Sequence, residues 1–405
     1  MADSRPLAGI RVADFTWVWA GPFCTLQLAH LGAEVIRIET ATRPCVTRML
    51  PPWADGEFGV NRSGYFNQYN QGKLSLALDL KQPAAVPIAK DLVAKSDIVC
   101  ENFAPGVMDR LGLGYSALRE VKPDLIMIAL SGYGATGPER DFVSYGPAQV
   151  PLSGMSSLTG YRDWPPMHVG VSYGDPTGGL HGACAVLAAL LYRARTGRGQ
   201  FIDLSQEETT IAVLPEGMMD YSMNKTQPPR DGNRDPFMAP HGVFRCAGEQ
   251  RWVTIAVRND AEWVRFARTI GRPELGTDPR YATLASRKAH EDQLEAIVTE
   301  WTDQRSPEEV TGLLQAERIP AFPSYSTKDL AEDAHLREAG FFVYLDHPEV
   351  GRRQHLGIPW RMPGTPCEIR RPAPCLGEHT DHVLSKILNY SADRIARLRA
   401  EKVVN

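Results

Sequence analysis

Over its first 135 residues the chain alternates short apolar runs with stretches of helical spacing, the pattern of a parallel sheet with helices packed on its faces. Residues 9–15 (GIRVADF) read as a buried strand. Residues 23–31 (FCTLQLAHL) carry apolar side chains at helical spacing, Gly32 ends that helix, and residues 34–38 (EVIRI) form the next strand. The alternation continues with a strand at 74–80, a helix at 83–95, a strand at 98–100, a short helix at 106–111 and a strand at 125–130. Right-handed crossovers make this α/β text a doubly wound, Rossmann-like sheet.

Residues 136–180 are rich in Gly, Pro, Ser and Tyr and too irregular for a regular layer, the mark of a functional loop. A long apolar helix then starts near Pro176, with Arg193 and Arg195 in its last turn and Gly197 beyond, and a strand follows at 200–204. A polar break with four prolines spans 222–241. Beyond it lie a hairpin (GVFRCAGEQRWVTIAV) and two helices capped by Asn259 and Ser306. The expected organisation is a large discontinuous domain of residues 1–225 plus 331–405 and a smaller α+β domain of 226–330.

Length and composition exclude several classes. A chain of 405 residues with 43% hydrophobic and 23% charged residues buries its own core, and 35 glycines with 31 prolines fall short of low complexity. The net charge of −4, mixed along the chain, provides no general attraction to nucleic acid or anionic membranes. Seven dispersed cysteines without CxxC or Cys/His clustering indicate reduced thiols and no metal site. The N-terminus lacks a signal-peptide pattern, and the most apolar segment, 183–192, is about half the length of a membrane span. A cytoplasmic protein without nucleic-acid or membrane partners is expected.

Few residues carry chemistry by themselves. Residues 132–137 (GYGATG) fit G-x-G-x-x-G, yet Pro138 stands where a helix should open, so dinucleotide binding lacks its context. The first strand leads into its helix through residues 16–22 without spaced glycines, although a phosphate is compatible with that helix N-terminus. Asp175 in GDPTGG precedes the most apolar helix. Residue types favour Asp175 as N-cap with Pro176 at the first helical position. A carboxylate so placed also stays ionised and exposed, as a nucleophile requires. Arg37, Arg43, Lys73, Lys81 and Arg110 are individually ordinary surface charges, or together neutralise a polyphosphate at the sheet edge. His181 falls within the helix, and no Ser/His/Asp order or HExxH is present.

Several stretches taken together resemble the class III CoA-transferases, the family of formyl-CoA transferase and the carnitine CoA-transferases. They are LAGIRVADFTWVWAGP, LGAEVIRIE, LDLKQP, VCENFAPGVMDRLGLGY, LSGYGATGP, GDPTGGLHG, LAALLYRARTGRGQFIDLS and LGEHTDHVLSKI with a final RLRAEKVV. They run in order along nearly the whole chain, weakest in residues 222–330.

The resemblance implies that Asp175 attacks an acyl-CoA thioester and carries first an acyl anhydride and then a CoA thioester, with the glycine-rich loop as a lid against water. Coenzyme A is then a co-substrate rather than a resident cofactor. Carried over by position, its contacts fall on Val18, Trp19, Ala20, Lys81, Asn102, Phe103, Arg110, Leu111 and Tyr133. Thr40 replaces an arginine of formyl-CoA transferase, so Arg43 or Arg37 is the substitute expected near the nucleotide. Trp19 replaces a glutamine beside the acyl group and the family's glycine-only loop is absent, which points to acids larger than formate and oxalate, bounded by Trp19 with Trp17 and Trp164. The rival isomerase, α-methylacyl-CoA racemase, needs a histidine base in the region of residues 144–149, and SYGPAQ has none. A noncatalytic CoA-binding subunit would be expected to lose the Asp. The family's assembly implies an interlaced homodimer, or a heteromer with a paralogous subunit.

Overall fold

Six of the apolar runs form one parallel sheet: β1 (Arg11–Asp14), β2 (Glu34–Glu39), β3 (Leu74–Ala77), β4 (Ile98–Glu101), β5 (Ile126–Ser131) and β6 (Phe201–Ser205). In the computed structural model, which describes residues 4–404, their order is β3-β2-β1-β4-β5-β6, all neighbours parallel. The order reverses direction between β1 and β4, the switch point at which doubly wound sheets open a crevice beyond their carboxyl ends. β1 to β5 are almost wholly buried because helices cover both faces.

The helices up to Asn224 are α1 (Ala20–His30), α2 (Gly64–Tyr69), α3 (Ala85–Ala94), α4 (Val107–Arg110), α5 (Tyr115–Val121), α6 (Gly146–Leu152), α7 (Met155–Leu158), α8 (Gly174–Thr196), α9 (Gln206–Ile211) and α10 (Pro215–Asn224). One face of the sheet packs Val12, Val35, Ile98 and Ile128 against Cys24 and Leu28 of α1 and Val186 and Ala189 of α8. The other packs Ala13, Ile36, Val99 and Met127 against Ile88 and Leu92 of α3, Leu118 of α5 and the C-terminal residues Leu398, Val403 and Val404. Gly197 ends α8 in the left-handed conformation, at φ 71°.

Three sequence expectations change. The stretch 136–180 is not all loop: α6 and α7 form within it. Pro147 lies in the first turn of α6, and Pro151 lies near its end, so prolines that read as loop text are tolerated there. The long helix starts at Gly174 and α1 at Ala20, in each case earlier than the apolar periodicity. α10 runs to Asn224, into the supposed break.

The contacts divide the chain into two units, each with its own core. The larger takes the described residues up to Ser156, then His168–Gln227, and Glu338 onward. The smaller takes Ser157–Met167 and Pro228–Arg337, adding a segment to the 226–330 stretch and ending later. Its antiparallel sheet joins β7 (His241–Arg245), β8 (Trp252–Ala256) and β9 (Ala321–Pro323). Its core stacks Trp263 on Phe266 with ring centroids 5.7 Å apart, beside Leu294, Val298 and Val310. Asn259 and Ser306 cap their helices by accepting from the N–H of Glu262 and Glu309.

Candidate active site

Asp175 lies in the first turn of α8, and its side chain caps nothing. The N-cap is Tyr173, without a side-chain hydrogen bond, so the capping role indicated by residue types does not occur. The carboxylate is also not exposed: Asp175 retains 7% of its accessible surface. Burial pushes its pKa up to about 7, opposed by the backbone N–H of Ala20. The expectation of a fully exposed, readily ionised carboxylate is thereby corrected. Desolvation outweighs the helix terminus.

Glycines make room for this arrangement. A Cβ on Gly146 would lie 1.9 Å from Asp175 Oδ2, so the start of α6 approaches the carboxylate closer than any side chain permits. On α8, a Cβ at Gly179 would meet the carbonyl oxygen of Ala20 at 2.8 Å, and one at Gly182 would meet Leu130 at 2.9 Å. The GDPTGGLHG text is therefore a packing device that brings α8 onto α1 and the sheet.

The turn between β1 and α1 forms a wall beside Asp175. Val18 stands at φ 63°, a conformation that costs a β-branched residue roughly 1–3 kcal/mol and must be imposed from outside. Asn102 imposes it in part: its Oδ1 accepts from Trp17 N at 2.7 Å and its Nδ2 donates to Trp17 O at 2.8 Å. Below the turn, the fully buried Asp14 accepts from Thr16 N, Thr25 Oγ1 and Lys73 Nζ at 2.9, 2.7 and 3.2 Å. Lys73 is thus a structural cation. Arg37, also fully buried, donates to Asn70 Oδ1 at 3.1 Å and faces Glu39. Neither can neutralise a ligand at the surface, which corrects the grouping of both with the phosphate-binding candidates.

A cavity of about 200 Å³ brings together Asp175, Val18, Asn102, Phe103 and Tyr133, with Ser144, Tyr145 and Gly146 on its far wall. Trp19 and Ala20 are buried beside it, at 9% and 0% exposure. The Trp19 ring lies 5.8 Å from Tyr65 and 5.2 Å from Tyr69, and Phe23 lies 5.7 Å from Tyr69. Burial and then the charge of Asp175 raise the pKa of both tyrosines. Tyr65 and Tyr69 were not singled out in the sequence, although their spacing of four on GYFNQY places both on one helix face. Trp17 lies elsewhere, 5.4 Å below the Arg43 guanidinium, and Trp164 belongs to the smaller unit.

Arg43, Lys81 and Arg110 do not line this cavity. They are exposed on segments leaving the carboxyl ends of β2, β3 and β4. Asp79 ties the first two segments, accepting from Thr42 Oγ1 at 3.2 Å and Lys81 N at 3.1 Å. Leu111 packs against the core below α4. No helix opens after GYGATG; instead the N–H of Ala135 donates to Asp203 at 2.8 Å. Among the described residues, no group of three or more His, Cys, Asp or Glu side chains is placed to hold a metal ion, and no helix is long and apolar enough to cross a membrane.

A buried carboxylate on a cavity at the switch point, with exposed cations on the segments leaving the carboxyl ends of β2, β3 and β4, suits a phosphate-bearing substrate. The family model of CoA-transferase family III matches residues 7–380. The chain belongs to CoA-transferase family III. It is 31% identical over 400 residues to the succinyl-CoA–D-citramalate CoA-transferase of Chloroflexus aurantiacus, covering 99% of this chain and 98% of that one. It is also 31% identical over 423 residues to the formyl-CoA:oxalate CoA-transferase of Afipia carboxidovorans, at 98% and 97% coverage. Among solved structures, a CAIB/BAIF family protein from Brucella suis shares the fold with a TM-score of 0.86 and 30% identity, covering 95% of this chain and 99% of that one. As a family III CoA-transferase the chain is an enzyme, and its α/β fold is shared with the Brucella suis protein.

Proposed function

We propose that this CoA-transferase moves CoA from an acyl-CoA donor to a free carboxylic acid with Asp175 as covalent nucleophile. The observation that carries the reading is a buried carboxylate, paired with no Lys or Arg among the described residues, on the wall of the cavity at the switch point. Its oxygen attacks the thioester carbonyl, the C–S bond breaks, and an aspartyl acyl anhydride forms as CoA thiolate leaves. The thiolate then attacks the aspartyl carbonyl, releasing the donor acid and leaving an aspartyl-CoA thioester. The acceptor carboxylate attacks that carbonyl to give a new anhydride and thiolate. Attack of the thiolate on the acyl carbonyl yields the new acyl-CoA and restores Asp175. Each acylation converts a charge the site disfavours into a neutral group, so burial assists the forward attack.

Lys81, Arg110 and Arg43 supply charge for the CoA phosphates, and Leu111 anchors the segment bearing Arg110. Phe103 and Tyr133 offer ring surfaces to the pantetheine arm, while Val18, Trp19 and Ala20 shape the wall nearest the thiol. Asn102 serves by holding that wall. The Trp19, Tyr65 and Tyr69 cluster supports an acid larger than formate or oxalate. The isomerase reading has less support, because the cavity contains no histidine opposite Asp175.

The seven free cysteines fit a reducing, cytoplasmic setting. A homodimer, interlaced as in the family, is supported by apolar side chains left exposed on α8 and α10: Leu191 at 61%, Met218 at 61% and Met223 at 72%. The test of the activity is an exchange assay in which purified enzyme is offered a panel of CoA thioesters and free dicarboxylic and monocarboxylic acids. Transfer of CoA between acids supports the reading. Deuterium uptake at the α-carbon without exchange would replace it with isomerisation.

A further inference from the structure

On the face of the sheet opposite α8, a second cavity of about 310 Å³ lies between the ends of β4 and β5, the start of β6 and helices α4 and α5. Register explains the opening. Glu101 pairs with Ala129 and Ala129 with Asp203, so one row across three strands runs carboxylate, methyl, carboxylate. Met127 and Ser131, two residues either side of Ala129, share its face and line the same cavity. The rings of Tyr115 and Phe201, 5.5 Å apart, form an aromatic wall.

Two polar groups here lack the partners that burial demands. Glu101, 7% exposed, accepts from Phe103 N at 2.7 Å, and among the described residues no Lys or Arg pairs with it. Burial raises its pKa to about 7, Phe103 N–H opposes this, and Asp109 and Asp203 add to the rise. Ser131, 6% exposed, has a buried Oγ with no hydrogen-bond partner. Unsatisfied groups of this kind are costly unless a ligand completes them.

We propose that this cavity binds a small organic cation, a protonated amine on a short apolar stem. The ammonium sits at Glu101 and Ser131, and the stem lies against Tyr115 and Phe201, whose ring faces attract positive charge. A metal ion is disfavoured because Glu101 and Asp203 stand two strand spacings apart, about 10 Å, and among the described residues no group of three or more His, Cys, Asp or Glu side chains is placed to hold one. Anions, the phosphates of CoA included, meet three carboxylates.

The test uses the full chain and n-butylammonium chloride followed by calorimetry and saturation-transfer NMR, with 1-butanol as the neutral isostere. Saturable binding of the amine, at least about tenfold tighter than the alcohol, is expected. Glu101→Gln keeps an acceptor for Phe103 N and should weaken the amine by about tenfold or more without moving its thermal melt by more than a few degrees. Ala129→Val, which fills the floor with a residue suited to strands, should weaken it as well and provides a second readout if Glu101→Gln folds poorly. No saturable binding, equal binding of butanol, or an unchanged affinity in the folded variants would overturn the proposal.

Discussion

Asp14 and Asp175 are both buried in the larger unit near the β1–α1 turn, and they are treated in opposite ways. Asp14 is surrounded by donors from Thr16, Thr25 and Lys73. Asp175 has the N–H of Ala20 to favour its charge, pairs with no Lys or Arg among the described residues, and faces a cavity. The first arrangement fixes the turn; the second leaves a carboxylate whose charge is costly and whose acylation relieves that cost. A buried Asp is thus structural or reactive according to its donors, not its depth.

The largest effect expected on this contrast is in Asp175→Asn, which should lower CoA exchange by on the order of 10⁴-fold or more by removing the nucleophile. The same variant should be more stable than the parent at high pH. A carboxyl raised from 3.8 to about 7 binds protons more tightly folded than unfolded, so the parent loses stability as pH climbs through that window. The gain in Asn should therefore be complete above pH 7, on the order of 4 kcal/mol at most, and absent below about pH 4, as read from denaturant melts across pH. Lys73→Met should act in the other direction, destabilising by about 3–5 kcal/mol because Asp14 is left buried without its cation. If Lys73→Met proved as stable as the parent, the structural role given to the Asp14 pair would fail.

Gly146→Ala tests the space around the reactive carboxylate. Its methyl collides with Asp175 Oδ2, so kcat should fall by about 10- to 100-fold while KM for acyl-CoA and the melting temperature change little. The pH profile of the parent tests the same burial without a substitution. Exchange requires the ionised nucleophile, so kcat/KM should rise about tenfold per unit up to about pH 7 and level off above it. A profile flat from pH 5 would contradict the burial given to Asp175.

Much of the architecture was legible because strands covered on both faces leave uninterrupted apolar runs, and because Gly197, Asn259 and Ser306 announce helix ends by local chemistry. The position of Asp175 was legible through its motif, but its burial was not, since that depends on α1 and α6 closing over it from distant parts of the chain. For the same reason Arg37 and Lys73 resembled surface cations: one-dimensional spacing does not reveal Glu39 or Asp14 waiting in the core. Tyr65 and Tyr69 had a signal, their shared helix face, but nothing local tied that face to Asp175. The prolines of α6 concealed a helix that a first-turn reading of Pro147 would have allowed.

The central claim is that Asp175 becomes acylated during turnover. Purified enzyme incubated with a competent acyl-CoA, then quenched with hydroxylamine and digested, should yield the peptide containing Asp175 as a hydroxamate by mass spectrometry, and Asp175→Asn should yield none. Sustained CoA exchange with no modification of Asp175, or a hydroxamate found on another carboxylate, would contradict the account.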